Sequence, residues 1–237
     1  MWIDDIPAGR GWTFLWSGRI LCGCGGIRAV DVHCPACNAP PYDCSPQTIT
    51  MDDGRTFDVT ATFMGAEGRY EDYLYLHMME HEWTRATAPG HEMLAGVSEK
   101  ASVVLLFWTY FETRIERLLR IGLRGVPAAL AEDALERYSS IGARLDTLYR
   151  VLFGTTYEKD LKDSGHLALW SHLKHVQKRR NEFIHGNPKA IDDALVNEVV
   201  AGMRQEHEAW IDIFNRRIRA SRAQQPLAGD AHEAARA

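Results

Sequence analysis

The chain changes its hydrophobic pattern near residue 68, and this change constrains the fold more than any other feature. Before it, apolar and polar residues alternate at 12–16 and 56–63, which is the period-two pattern of half-buried strands. After it, apolar residues recur at three- and four-residue spacing, as in amphipathic helices. The sequence therefore predicts an α+β chain, in which a small N-terminal β domain precedes an all-α, up-and-down helical bundle.

The domain boundaries are predicted from the same change. Residues 1–67 are expected to form the β domain, 68–90 a linker helix, 91–222 the bundle and 223–237 a flexible tail. Pro127 suits the first turn of a helix, and Gly186 followed by Pro188 is a strong helix stop. Five helices are predicted, over residues 69–85, 99–123, 127–152, 165–184 and 191–220.

Composition excludes several classes of protein. Of 237 residues, 46% are hydrophobic and 25% are charged, which is ordinary for a globular chain and excludes disorder for most of it. The longest mainly apolar run, 103–111, is much shorter than the roughly 20 residues of a membrane span. We expect a cytoplasmic protein with no membrane partner. A net charge of −5 excludes a bulk polyanion binder, so any nucleic-acid contact needs a local basic patch.

All five cysteines lie between residues 22 and 44, in a Cys-x-Cys and a Cys-x-x-Cys pair followed by a single cysteine. Thiolates are preferred ligands of zinc, and two short-spaced pairs supply the four corners of a tetrahedron. The spacing predicts a zinc-ribbon-like module with a structural ion. The predicted ligands are Cys22, Cys24, Cys34 and Cys37, and either His33 or Cys44 is an alternative for one of them. Free buried cysteines or a redox pair are the competing interpretation.

The segment 174–186 concentrates positive charge in an otherwise acidic chain. Asn181 and His185 are four residues apart and share a helix face, while Arg180 lies about 140° around from His185. An arginine that holds phosphate, an amide and a proton-carrying histidine together suit RNA cleavage by the 2′-hydroxyl, without a catalytic metal. The competing interpretation is a solvated basic helix end.

The hexapeptide Arg180-Asn-Glu-Phe-Ile-His185 resembles the Arg-x4–6-His signature of the HEPN superfamily. The resemblance covers about 92–220 and includes an aromatic-rich earlier helix at 107–112. It implies an all-α homodimer in which two motif helices form one cleft. It also implies a metal-independent endoribonuclease that leaves a 2′,3′-cyclic phosphate, in a toxin or antiviral-defence role with RNA and an antitoxin or defence-system protein as partners. Other members are inactive, so the alternative is a non-catalytic, HEPN-like dimeric module that binds a partner protein or nucleotide.

The resemblance assigns roles to individual residues. Arg180 would contact phosphate, Asn181 would orient the attacked group, and His185 would shuttle protons. The predicted substrate-binding cations are Lys174, Lys178 and Arg179, and the predicted supports for the motif are Glu112 and Glu116. Zinc is the only predicted cofactor, and none is predicted for catalysis. A third hypothesis is a zinc-dependent nucleic-acid-binding regulator without enzymatic activity.

Two further histidine pairs occur on predicted helices. The segment 77–81 reads as the His-x-x-Glu-His of a zinc peptidase class, but the chain lacks the larger α/β domain of that class, so a packing helix is favoured. His172 and His175 lie one turn apart, and they are interpreted either as a metal-ligand pair or as polar residues that face RNA.

Overall fold

The computed structural model describes residues 19–29, 31–41, 47–51, 54–59, 70–85 and 96–223. These residues divide into two compact units. The helical unit comprises 70–85 and 96–213, and the cysteine unit comprises the described residues between 19 and 59 together with 214–223. The predicted combination of a small N-terminal module with short strands and a mostly helical remainder is confirmed at this level.

The cysteine unit contains two separate antiparallel hairpins in its described residues. Strand β1 (Arg19–Leu21) pairs with β2 (Ile27–Ala29), and β3 (Gln47–Thr50) pairs with β4 (Thr56–Val59). Strand β4 covers the first part of the strand predicted at 56–63. The strand predicted at 12–16 lies outside the described residues.

The described part of the helical unit contains seven helices, the last of which extends into the residues of the cysteine unit. They are α1 (Tyr70–Thr84), α2 (Ala101–Gly122), α3 (Ala128–Arg137), α4 (Tyr149–Phe153), α5 (Tyr157–Asp163), α6 (Leu167–Ile184) and α7 (Asp193–Ala223). A π-helical segment (Ala143–Leu148) leads directly into α4, and a 3₁₀ turn (Pro188–Ala190) precedes α7. None of the described helices combines the length and the apolar character that a bilayer crossing requires.

The single helix predicted over 127–152 is wrong, because the chain breaks after Arg137. At the break, the Ser140 hydroxyl accepts a hydrogen bond from the amide of Ala143 at 3.2 Å. The guanidinium of Arg144 donates to the carbonyl of Tyr138 at 3.0 Å. Such side-chain bonds compete with the helical ladder, so the helix restarts in a new segment.

Helix α5 was also not predicted as a separate element. Its N-cap is Thr156, whose hydroxyl accepts a hydrogen bond from the amide of Lys159 at 3.2 Å. Gly154 precedes it at φ 67° and ends α4 in the left-handed conformation. A glycine stop followed by a threonine cap is a readable signal for two short helices.

The helix predicted as a linker packs against α2. Leu76 and Met79 of α1 are fully buried, and the Ser102 hydroxyl donates to the Glu82 carboxylate at 2.8 Å. This hydrogen bond is the main cause that lowers the pKa of Glu82. His77 and His81 lie on the exposed side of α1, so this part of the chain is a packing helix.

A buried ion pair joins α2 to α7. The Arg114 guanidinium donates to the Glu206 carboxylate at 2.6 Å, and neither side chain is accessible to solvent. The guanidinium also lies 4.7 Å from the ring centre of Tyr110 and 4.5 Å from that of Trp210. Burial raises the pKa of Glu206, whereas the charge of Arg114 opposes this shift.

Breaking this pair is expected to destabilise the helical unit strongly. Glu206→Leu removes the carboxylate from the buried guanidinium, and a broken buried pair typically costs about 3–5 kcal/mol. The double variant Arg114→Met/Glu206→Leu should regain part of this loss because no charge stays in the core. Urea denaturation monitored by helical circular dichroism measures all three free energies of unfolding.

The matched control is Arg137→Met, which breaks an exposed pair with Asp133 at 3.1 Å. It should change the free energy of unfolding little, because solvent screens exposed pairs. If Glu206→Leu lowers the free energy of unfolding no more than Arg137→Met does, the role assigned to the buried pair is contradicted.

Candidate functional site

The four thiols of the predicted zinc module lie together. The sulfurs of Cys22, Cys24, Cys34 and Cys37 are all within 4.8 Å of one another. Two of the pairs, Cys22 with Cys37 and Cys24 with Cys34, are 3.6 Å and 3.7 Å apart. A tetrahedron with zinc–sulfur bonds of about 2.3 Å has edges of about 3.8 Å. The group can therefore hold a metal ion, and these sulfurs are too far apart for disulfides.

Two tight turns position these thiols. In the first, the Cys22 amide donates to the carbonyl of Gly26 at 2.8 Å, and the Gly25 amide donates back to the carbonyl of Cys22 at 2.7 Å. Gly25 has φ 85°, a conformation that favours glycine. In the second, the Asn38 amide donates to the carbonyl of Cys34 at 2.7 Å. Each turn folds one pair of sulfurs inward.

The surroundings of the thiols alter their acidity. Burial raises the pKa of Cys24 to about 12 and also raises the pKa of Cys34. A hydrogen bond involving the backbone of Ala39 lowers the pKa of Cys37 to about 7. Thiols with raised pKa values carry protons at neutral pH, and a metal ion displaces them when it binds.

His33 and Cys44 are the predicted alternatives for one of the four ligands. His33 is exposed and is not part of the thiol group, so among the described residues the four cysteines are the group that could hold a metal ion. Cys44 lies outside the described residues.

The end of α7 is held by the cysteine module, a contact that sequence reasoning missed. Asn215 accepts a hydrogen bond from the amide of Ile27 and donates to its carbonyl, each at 2.7 Å and both buried. Arg219 also donates to the carbonyl of Pro35. Gly26 completes the fit, because a side chain there would meet the Cβ of Ala36 at 2.8 Å.

Helix α6 separates an inward stripe from a polar outer face. Leu169, Leu173 and Val176 are buried at four- and three-residue spacing. At about 100° per residue, four other side chains fall within about 60° of one another on the opposite side. This outer face of α6 consists of Lys174, Lys178, Asn181 and His185, of which Asn181 is partly buried and the others are exposed.

Arg180 continues the inward stripe, four residues after Val176. Its Nε is buried without a hydrogen-bond partner among the described residues. Its Nη1 donates to Oδ1 of Asn181 at 3.1 Å. The guanidinium therefore reaches from the inner side to the amide of the outer face, which brings two of the three predicted catalytic residues into contact.

His185 lies at the end of α6, where the predicted helix stop is confirmed. The Gly186 amide donates to the carbonyl of Phe183 at 3.1 Å, and the Asn187 amide donates to that of Glu182 at 3.0 Å. With Gly186 at φ 97°, this is the Schellman pattern of a glycine-ended helix. The motif places the His185 side chain at an exposed helix end.

The predicted substrate-binding cations differ in their contacts. Arg179 donates to the Asp192 carboxylate at 3.4 Å, and Lys178 lies 4.0 Å from that of Glu182. The Lys174 ammonium stands 4.7 Å from the ring centre of Trp170. Of the three, Lys174 therefore has an aromatic rather than an acidic neighbour in its described contacts.

The predicted supports for the motif have other partners. Glu112 accepts a hydrogen bond from the indole of Trp108 at 2.7 Å. Glu116 pairs with Arg120 at 2.8 Å and with Arg144 at 3.3 Å. The described contacts therefore do not support a role for these glutamates in anchoring Arg180, Asn181 or His185.

The histidine pair of α6 faces α7. His172 Nδ1 lies 2.7 Å from one oxygen of Glu198, and His175 Nε2 lies 3.9 Å from the other. The described residues place no third ligand there, since their metal-compatible group is the cysteine cluster.

Comparison of the chain with protein-family models, with curated proteins and with solved structures finds no match. The resemblance to the HEPN superfamily therefore depends on the α6 motif and the helix order.

Removing one thiol is expected to empty the metal centre. Purified protein should contain about one zinc ion per chain, and Cys34→Ser should lose it because a closed site needs all four thiolates. Cys44→Ser, which changes the cysteine outside the cluster, is the matched control and should retain the ion. Elemental analysis measures the zinc content of both variants. A folded wild-type protein that contains no metal would contradict the predicted metal site.

The Asn215 contact generates a separate prediction. Asn215→Leu leaves the amide and carbonyl of Ile27 buried without their partner, and each such group typically costs about 1–3 kcal/mol. Hydrogen exchange at the Ile27 amide should accelerate strongly. Glu208→Gln, a change on the same helix, should leave that exchange rate unchanged. Equal exchange rates in wild type and Asn215→Leu would show that Asn215 does not hold the Ile27 segment.

Proposed function

We propose that the helical unit is a HEPN-type endoribonuclease that cleaves RNA without a catalytic metal. The observation that carries the proposal is the arrangement at the end of α6. There, a guanidinium is hydrogen-bonded to an amide at 3.1 Å, one helical turn before the exposed His185. Phosphate binding, orientation and proton transfer require these three kinds of group.

The reaction needs no external nucleophile. The 2′-oxygen of a ribose attacks the adjacent phosphorus while the bond from phosphorus to the 5′-oxygen breaks. The proton of the 2′-hydroxyl passes to a base, and the departing 5′-oxygen receives a proton. The products are a 2′,3′-cyclic phosphate and a 5′-hydroxyl, so atoms and charge balance without water.

The residues of α6 fit these steps. Arg180 carries a permanent positive charge that stabilises the negative charge developing on the phosphoryl oxygens. Asn181 is partly exposed and can orient the ribose or phosphate through its amide group. His185 transfers the protons, a role in which histidine typically contributes about 100- to 10,000-fold.

A homodimer supplies the second proton-transfer group. If two copies pair beside the His185 ends of their α6 helices, one His185 accepts the proton of the 2′-hydroxyl and its counterpart protonates the 5′-oxygen. Ile184, the residue before His185, is 50% exposed. Burial of this side chain between copies would favour the pairing and leave the outer face of α6 open to RNA.

We further propose that the ion of the cysteine cluster is zinc and that its role is structural. Four thiolates leave no open coordination position for water or substrate. A small unit with two short hairpins has little apolar core, so a metal cross-link contributes much of its stability. A toxin or antiviral-defence role in the cytoplasm, under control of a partner protein, is part of the same proposal.

The nuclease proposal is tested with purified protein and single-stranded RNA in EDTA. Wild type should produce fragments with a 2′,3′-cyclic phosphate. Arg180→Ala and His185→Ala should each lower the rate at least about 100-fold with unchanged helical circular dichroism. His77→Ala, which removes an exposed histidine of α1, should cleave like wild type. Cleavage that survives both motif variants, or that persists when the 2′-hydroxyls are absent, would refute the mechanism.

One observation favours the non-catalytic alternative. Arg179 and Lys178 both have carboxylate neighbours, which reduces the positive charge available to a polyanion. If wild type cleaves none of a varied set of RNAs but binds a protein or nucleotide that Arg180→Ala fails to bind, the interaction module is the correct function.

A further inference from the structure

Trp170 is a tryptophan of α6 whose position no step of the cleavage reaction uses. It lies one turn before Lys174 and is partly exposed. The ring of Tyr157, itself fully buried, lies 6.5 Å away at an interplanar angle of 63°. A tryptophan that serves packing alone could be covered fully, as Trp108 and Trp210 are. Trp170 instead is only partly buried.

Lys174 places a positive charge beside this ring. Its ammonium stands 4.7 Å from the ring centre, and its side chain is exposed on the outer face of α6. The ammonium can move from the ring to a nearby phosphate because no carboxylate holds it in the described contacts. An aromatic face with an adjacent mobile cation is the combination that proteins use to bind single-stranded nucleic acid.

The distance between Trp170 and His185 suits one continuous strand of RNA. Trp170 and His185 are 15 residues apart, which corresponds to about 22 Å along a helix. Several nucleotides of an extended strand span such a distance. Lys174, Lys178 and Asn181 lie between the two ends on one face of the helix, so the strand would follow a single polar path.

We propose that Trp170 and Lys174 form a base-stacking subsite that selects single-stranded RNA and feeds it to His185. The inference deepens the proposed function and rests on it. A base stacks on the free part of the indole while Lys174 binds a phosphate of the same strand. Bases within an A-form duplex are stacked on each other and offer no free face, so this subsite discriminates against double-stranded RNA. Every base has a π-face, so the subsite selects no particular base.

Binding is measured with an oligonucleotide that cannot be cleaved, so that catalysis does not enter the result. Its riboses carry 2′-O-methyl groups, which remove the nucleophile. Trp170→Leu should weaken binding of the single strand at least about fivefold, because loss of one stacked base costs about 1–3 kcal/mol. Trp170→Phe keeps a ring and should stay within about threefold of wild type. The corresponding duplex should bind weakly to all three proteins.

Two controls separate stacking from damage to the fold. In the first control, each nucleotide in turn is replaced by an abasic linker. One of these replacements should weaken binding to wild type but have little effect on binding to Trp170→Leu. Unfolding of the variant cannot produce such a position-specific difference. Lys174→Gln should lower the slope of binding against salt by about 0.7, the value for one phosphate of a single strand. Lys162→Gln, which changes an exposed lysine of α5, should leave this slope unchanged.

The outcomes distinguish the subsite from the nuclease. Equal binding by wild type and Trp170→Leu, equal affinity for single and double strands, or no binding of RNA would overturn the subsite. If binding depends on Trp170 but wild type cleaves no RNA, the nuclease proposal fails and the subsite stands. If the same surface captures a protein and no RNA, the subsite is also overturned.

Discussion

The packing of the helical unit depends on one buried ion pair. Arg114 and Glu206 have no contact with water, and a charge removed from water is costly unless its partner is in place. The two side chains therefore allow few arrangements of α2 against α7. Around them, Tyr157 is buried with its hydroxyl unpartnered in the described residues, and burial and the charge of Glu206 raise its pKa well above the ordinary value. Other polar side chains, among them Asp160 and His207, are also buried in this core.

The cysteine unit is stabilised by a different principle. Its hairpins have only three or four residues in each strand, so backbone pairing and apolar burial contribute little. The two-way hydrogen bond between Asn215 and Ile27 holds two parts of the unit together, and a metal ion on the four convergent thiols would add a cross-link. Because Ile27 follows the turn that carries Cys22 and Cys24, a metal ion bound there would order the same short segment as the α7 contact.

Local signals were readable from the sequence, whereas partners from distant elements were not. The cysteine spacing and the Gly186 stop involve neighbours within a few residues, so the thiol cluster and the end of α6 could be predicted. The break after Arg137 depends on side-chain bonds at Ser140 and Arg144 that compete with a good helical pattern. Glu116 pairs with Arg144 from another element, and Asn215 bonds a residue 188 positions away. No periodicity encodes such contacts.

The position of Arg180 shows how the motif differs from ordinary helix packing. The stripe formed by Leu169, Leu173 and Val176 would continue most stably with another apolar side chain at this position. An arginine there buries its Nε, which has no hydrogen-bond partner among the described residues, and this costs free energy that one hydrogen bond to Asn181 offsets only in part. Such a cost is typical of functional sites, where residues needed for binding or catalysis lower the local stability. This cost supports the proposal that the guanidinium serves to bind a ligand rather than to pack α6.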